Sequence, residues 1–464
     1  MLFMEGNDPI GIDEDSLKIL ESALKRLNSG FGELERFDTN TYDISRLSAV
    51  MEEVADRMKD NFPYFHPLYA GQMLKPPHPV ARLAYMLSLY INPNNHALDG
   101  GRASSRMEKE AVAQIAGMFG WDTFLGHLTG GGTMANLEAL WVAGQLQPGK
   151  LIAASSQAHY THDRLSKVLG LPFRPVPADR FGKMDLTALN ILLDAEKVGT
   201  VVATIGTTAT GATDPLPGIM KLQEQYGFRI HADTAYGGYF TLTDNLAPAT
   251  REVFDRLAGV DSIVVDPHKH GLQPYGCGCI LFRDPSVGQF YKHDSPYTYF
   301  SSDELHLGEI SLECSRPGAS AVALWATQKL MPPVKGGEFA GLMEKGRQAA
   351  LELYRLLKAD RRYIIAFPPE LDIVIWAPKA ATVSEISKLS RLIFEAAGRS
   401  HLHLALAELP CHFYDLDGEG IIRDRETITC LRSVLMKPEH QEWLARIWGI
   451  LNQSTDTILS KHES

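Results

Sequence analysis

The alternation of helical segments with short apolar runs across residues 76–335 constrains this chain more than any other feature. Helical periodicity is read over residues 107–119 and 133–146, and apolar runs bounded by polar turns stand at 151–155, 201–206, 229–233, 262–266 and 278–282. Parallel strands need crossover connections and are buried on both sides, so this alternation predicts a largely parallel sheet with helices on both faces. Ligand sites in such sheets gather at the carboxyl ends of the strands. Three runs end at Gly206, Asp233 and Asp266, where chemistry is expected.

The flanking regions read differently. Residues 1–75 form an N-terminal helical arm, patterned as helix at 13–27 and 44–61 and followed by an aromatic, turn-rich link at 62–69. Beyond Pro332, Pro333 and the Gly336-Gly337 turn, helices at 338–357, 383–397 and 441–459 with a strand at 372–376 predict a smaller C-terminal α/β domain, 336–464. At 464 residues and 45% hydrophobic content the chain can bury a large core. Lys and Arg total 45 against 56 Asp and Glu, a net charge of −11, and no dense basic cluster follows a phosphate backbone, so nucleic acid is excluded as a partner. Asp8, Asp13, Glu14 and Asp15 stand where a secretory signal would be basic and then apolar, and no run approaches the roughly 18 apolar residues of a membrane span. A cytoplasmic protein with no membrane partner is expected. Its five cysteines are too sparse for a disulfide framework. Cys277 and Cys279 lie in an apolar run and read as buried structural thiols, with no metal expected.

Three motifs carry chemistry. Residues 129–136, Thr-Gly-Gly-Gly-Thr-Met-Ala-Asn, open a helical pattern whose first amides lack intrahelical acceptors. Glycines let those amides approach an anion and Thr133 adds a hydroxyl, giving a phosphate cradle. The motif alone is equally a glycine-rich turn. In residues 262–271 an apolar strand delivers Lys269 into a tight turn between His268 and His270. Desolvation deprotonates an amine in such surroundings, as Schiff-base chemistry requires, whereas an isolated lysine after a strand is ordinarily solvated. Asp233 ends another strand and is followed by small residues; it suits a protonated pyridine nitrogen, and equally a turn.

Taken in this order, the motifs resemble the group II pyridoxal-phosphate decarboxylases, the aromatic amino acid, tyrosine and glutamate decarboxylase group. The resemblance runs over roughly residues 60–330. It includes His-Pro-Leu-Tyr-Ala-Gly-Gln-Met at 66–73, Gly-Gly-Thr-Met-Ala-Asn at 131–136, Ala158-His159-Tyr160, Gly206-Thr207-Thr208, residues 233–238 and the His268-Lys269 pair. It implies the aspartate aminotransferase-like α/β architecture, fold type I, with pyridoxal 5'-phosphate as cofactor. It also implies a homodimer with shared active sites that converts an aromatic L-amino acid such as tyrosine, or an acidic one, to its amine and CO2.

Carried over by position, Lys269 holds the Schiff base, Asp233 meets the pyridine nitrogen, and His159 and Ala235 lie against the two ring faces. Thr208 bonds the ring edge, while Gly131, Gly132, Thr133 and His268 hold the phosphate. The family's loop tyrosine, the proton donor, falls on Tyr297, in a segment that otherwise reads as pocket or interface lining. Tyr69, Gln72, His270 and Arg316 are expected to contact the substrate, and Arg316 could equally fix a partner subunit. The chain departs from the group at Gly130, where serine is common, at Met134, where glutamate is common, and at His270. The nearest rival is a carbon-carbon lyase of the sphingosine-phosphate lyase type on the same scaffold. A catalytically idle cofactor-binding subunit is the other.

Overall fold

The computed structural model describes residues 14–35, 42–292 and 306–463. The expected parallel sheet is present. Its strands are β1 (Leu125–Thr129), β2 (Leu151–Ser155), β3 (Phe173–Val176), β4 (Val198–Thr204), β5 (Arg229–Asp233), β6 (Ser262–Val265) and β7 (Gly278–Phe282), in the spatial order β1-β7-β6-β5-β4-β2-β3. Only β7 runs against its neighbours. Successive side chains point to opposite faces, and both faces are buried: Ile263 and Val265 join one core, while Val264 between them packs with Ala135, Ala139 and Ile280 in another.

Two strands were not legible as apolar runs. β1 carries Gly126 and His127, the latter buried because its Nε2 meets Glu138 Oε2 at 2.9 Å. β3 lies at the sheet edge, where exposed Arg174 and Pro175 are tolerated. β4 starts earlier than the 201–206 run because Val198 pairs with Leu151, and it ends at Thr204, before Gly206 turns with a φ of +102°.

A second, wholly antiparallel sheet follows, with strands β8 (Tyr363–Ile365), β9 (Ile373–Pro378), β10 (Ala405–Pro410) and β11 (Thr427–Val434) in the order β10-β11-β9-β8. The helices Glu338–Ala359, Val383–Arg399 and His440–Glu463 cover it, their Leu353, Ile393 and Leu451 packing with the fully buried Trp376. Among the described residues, no helix is long and apolar enough to cross a membrane.

Parallel register positions the site. Thr204 pairs with Asp233, and Asp233 with Val264, so β4, β5 and β6 end level with one another. The turns leaving them are tightly nested: the Gly237 amide donates to Ile205 O at 3.1 Å, and a Cβ on Gly237 would lie 2.1 Å from that oxygen. Gly237→Ala is therefore expected to cost about 1–3 kcal/mol in urea unfolding, since backbone must move to admit the methyl group. Gly117→Ala is the control. It sits in the helix Leu98–Met118 with nothing within 4 Å of its Cβ, and should change stability little or raise it by about 0.5–1 kcal/mol.

Candidate active site

A cavity of about 530 Å³ opens at these strand ends, where the helix Gly132–Leu146 also begins. Its wall includes Gly131, Gly132, Thr133, His159, Thr208, Asp233, Ala235, His268 and Lys269. Residues separated by well over a hundred positions thus share one space.

At the glycine end, Gly131 takes a φ of +146°, and its carbonyl accepts the amides of Met134 and Ala135. Among the described residues, the amides of Gly132 and Thr133 meet no acceptor. A Cβ would fill this cradle: on Gly132 it would sit 2.6 Å from Asp266 Oδ2, and on Gly131 3.3 Å from His268 Cε1. Free amides at a helix start suit a phosphate.

Asp233 is buried at the opposite end. Its Oδ2 accepts from His162 Nε2 at 2.8 Å and from Asn136 Nδ2 at 3.4 Å, and its Oδ1 from the Ala235 amide at 3.1 Å. With the Asn136 amide donating to Asp233, its Oδ1, 2.8 Å away, takes the proton of His231 Nε2; His231 Nδ1 then accepts from the Ser262 hydroxyl at 2.9 Å. Burial pushes His231 down to about 3, which agrees with this neutral tautomer. Burial opposes ionisation of Asp233 too, but the hydrogen bond and attraction of His162, with the Lys269 charge, outweigh it and hold the carboxyl well below the usual carboxylate range. A fixed, ionised carboxylate is what a protonated pyridine nitrogen requires.

Lys269 stands on a turn closed by its own amide on Asp266 O at 2.9 Å, and its Nζ lies 3.1 Å from Asp266 Oδ2. Asp266 Oδ1 is buried without a hydrogen-bond partner. His268 Nδ1 donates to Cys277 O at 2.8 Å, which leaves Nε2 toward Asp266 at 3.6 Å. His159 is steadied by Thr161 Oγ1 at 2.9 Å, and burial lowers its basicity, which suits a neutral ring used as a flat surface.

Four expected substrate contacts lie elsewhere. His270 does not face the cavity: its ring packs 4.7 Å from Tyr236 and 5.1 Å from Phe240, with Nε2 3.4 Å from the buried Asp372, whose pKa burial pushes up to about 6. Arg316 is buried, with Nη1 3.0 Å from Glu108 Oε1 and bonded to the Leu128 carbonyl, so its charge is spent inside the fold. Tyr69 and Gln72 line a separate cavity of about 600 Å³ beside His403 and Leu404, because their link pairs with the second sheet, Ala70 N donating to His403 O at 2.9 Å. Tyr297 lies outside the described residues.

From sequence alone, His162, Glu313 and Arg432 carry no role, Asp266 is marked only as a strand end where chemistry is expected, and Asn136 only as the last residue of the glycine motif. His162 meets Asp233 across 71 positions, and Glu313 lines the cavity while Oε2 accepts the Gly130 amide at 2.9 Å across 183. No local pattern marks either pair.

The native carboxyl of Asp233 titrates below its unfolded value, so its stabilisation is present above the ordinary carboxylate pKa of about 3.9 and is lost as pH falls toward the depressed one. His162→Phe removes its strongest donor. Acid unfolding followed by circular dichroism is expected to move to higher pH, with a loss of about 1–3 kcal/mol at neutral pH.

Comparison with known proteins agrees with this geometry. The model of the pyridoxal-dependent decarboxylase conserved domain matches residues 141–379. A probable L-tyrosine/L-aspartate decarboxylase of Methanothermobacter thermautotrophicus is 29% identical over 368 residues, spanning 77% of this chain and 96% of that protein. In fold the chain is similar to mouse CSAD, with a TM-score of 0.77 at 18% identity over 96% of this chain and 99% of that one. The structure of Oryza sativa TDC with PLP and tryptamine matches with a TM-score of 0.77 at 17% identity, over 97% and 99%. A fold of type I, the cradle, the fixed carboxylate and the matched domain agree: this chain belongs to the pyridoxal-dependent decarboxylase family.

Proposed function

We propose that in this decarboxylase Lys269 holds pyridoxal 5'-phosphate as a Schiff base, Asp233 meets its pyridine nitrogen, and an aromatic L-amino acid such as tyrosine, or an acidic one, is the substrate. The observation that carries this reading is the convergence of Lys269, Asp233, His159 and the glycine cradle on one cavity. The orphaned amides of Gly132 and Thr133, together with His268, suit the phosphate. Bound there, the cofactor supplies an electron sink for the charge left when CO2 departs. The protein's part is to keep Asp233 ionised, to press His159 and Ala235 against a flat ring, and to hold the Lys269 amine beside Asp266. The substrate class rests on the relative named as acting on tyrosine and aspartate. Lyase chemistry and an idle subunit are not favoured, because the matched domain and the named relatives are decarboxylases.

A homodimer is part of the proposal. The helix Ile44–Met58 buries none of its residues, and Ile44, Leu47, Met51, Val54 and Met58 form an exposed apolar stripe at helical spacing. Exposed stripes of this kind mark interaction surfaces, and a second copy of the chain is the partner the family implies. The division into an arm, 1–75, a cofactor-binding domain, 76–335, and a small domain, 336–464, is supported by the two separate sheets. A cytoplasmic setting is supported by five cysteines, all free.

Two measurements test the reading. Lys269→Ala should abolish CO2 and amine release from a panel of L-amino acids that the wild type turns over; full turnover by the variant would overturn the assignment. Wild type should sediment as a dimer, and Leu47→Asp with Val54→Asp should yield monomer while circular dichroism stays unchanged.

A further inference from the structure

The cavity wall holds three carboxylates, Asp233, Asp266 and Glu313. Two of them have partners, Asp233 with His162 at 2.8 Å and Asp266 with Lys269 at 3.1 Å. Glu313 has none of comparable charge. It reaches in from the stretch before the helix Gly318–Leu330, and its Oε2 accepts the Gly130 amide at 2.9 Å. Among the described residues it makes no ion pair.

A Cβ at Gly130 would meet Glu313 Oε1 at 3.1 Å, a tight contact that the flexible end of the glutamate relieves by a few tenths of an ångström. The described wall carries no arginine; its basic groups are Lys269, His159 and His268, and burial disfavours the charge on both imidazoles. An entering side chain that ends in a carboxylate meets an uncompensated like charge, whereas one that ends in a donor finds an acceptor already aimed into the cavity.

We propose that Glu313 is a specificity-determining residue, selecting L-amino acids whose side chain ends in a hydrogen-bond donor and rejecting those that end in a carboxylate. This rests on the decarboxylase reading and narrows it, retaining phenol-bearing substrates and discarding acidic ones.

Pairs of near-isosteric substrates isolate the effect: tyrosine against phenylalanine, glutamine against glutamate, and asparagine against aspartate. CO2 release by the holoenzyme should favour the donor-bearing member of each pair, and Glu313→Gln should relieve the discrimination against the acids by about tenfold or more, mainly through KM. A readout free of turnover accompanies it: 3-(4-hydroxyphenyl)propanoate should raise the Tm of the wild type more than succinate does, and the difference should shrink in Glu313→Gln. The proposal is overturned if the wild type prefers the acids or if the variant leaves the order unchanged. It is also overturned if the variant alters only the affinity of the apoprotein for pyridoxal phosphate, read by absorbance titration, since Glu313 would then belong to the phosphate cradle. Absence of CO2 from every amino acid would sink the decarboxylase reading, and the Tm ranking would still decide the role of Glu313.

Discussion

A carboxylate that must stay ionised inside the protein is the constraint around which the rest is built. Charge at Asp233 is costly in a buried setting unless donors replace water. His162 comes from the helix Thr161–Val168, Asn136 from the helix that starts at the cradle, and His231 and Ser262 from β5 and β6. Two helices and two strands therefore converge to keep one group charged. The same helix that supplies Asn136 also presents the free amides of Gly132 and Thr133, so the two ends of the cavity are fixed by a single rigid element.

The sheet supplies the rest of the precision. Because β4, β5 and β6 end in register, short turns suffice to bring Thr208, Asp233 and Lys269 to one wall. β7 runs back between β6 and β1, and its lead-in carbonyl at Cys277 receives both the amide and the imidazole of His268. The histidine beside the lysine is thereby oriented by backbone, which no change of side chain at 277 would remove.

The sequence disclosed what is local. A strand ending in Asp233, a lysine in a turn bounded by Pro267 and Gly271, and a run of glycines before a helix can each be recognised within a few residues, and their shared order resembles a family. It concealed what depends on distant partners. His270 neighbours Lys269 in sequence yet turns toward Asp372, and Arg316 spends its charge on Glu108 across 208 positions. β1 and β3 escaped because a buried His127–Glu138 pair and an edge proline do not look like strand residues until their neighbours are in place. Burial and pairing across the fold, not residue type, separated the cavity wall from its supports.

Arg432 shows what such pairing does for the cavity wall. From β11 its guanidinium reaches the carbonyls of Thr208 and Ala209 on the large-sheet turn, and Gly71 O and Gln72 Oε1 on the arm, at distances of 2.7 to 3.2 Å. It is 4% exposed, so pulling any one of these segments away would strand a buried cation. The Thr208 turn, itself open to water, is thereby tied to the second sheet and to the arm, so both bear on the cavity wall through one buried cation although neither lends that wall a side chain of its own.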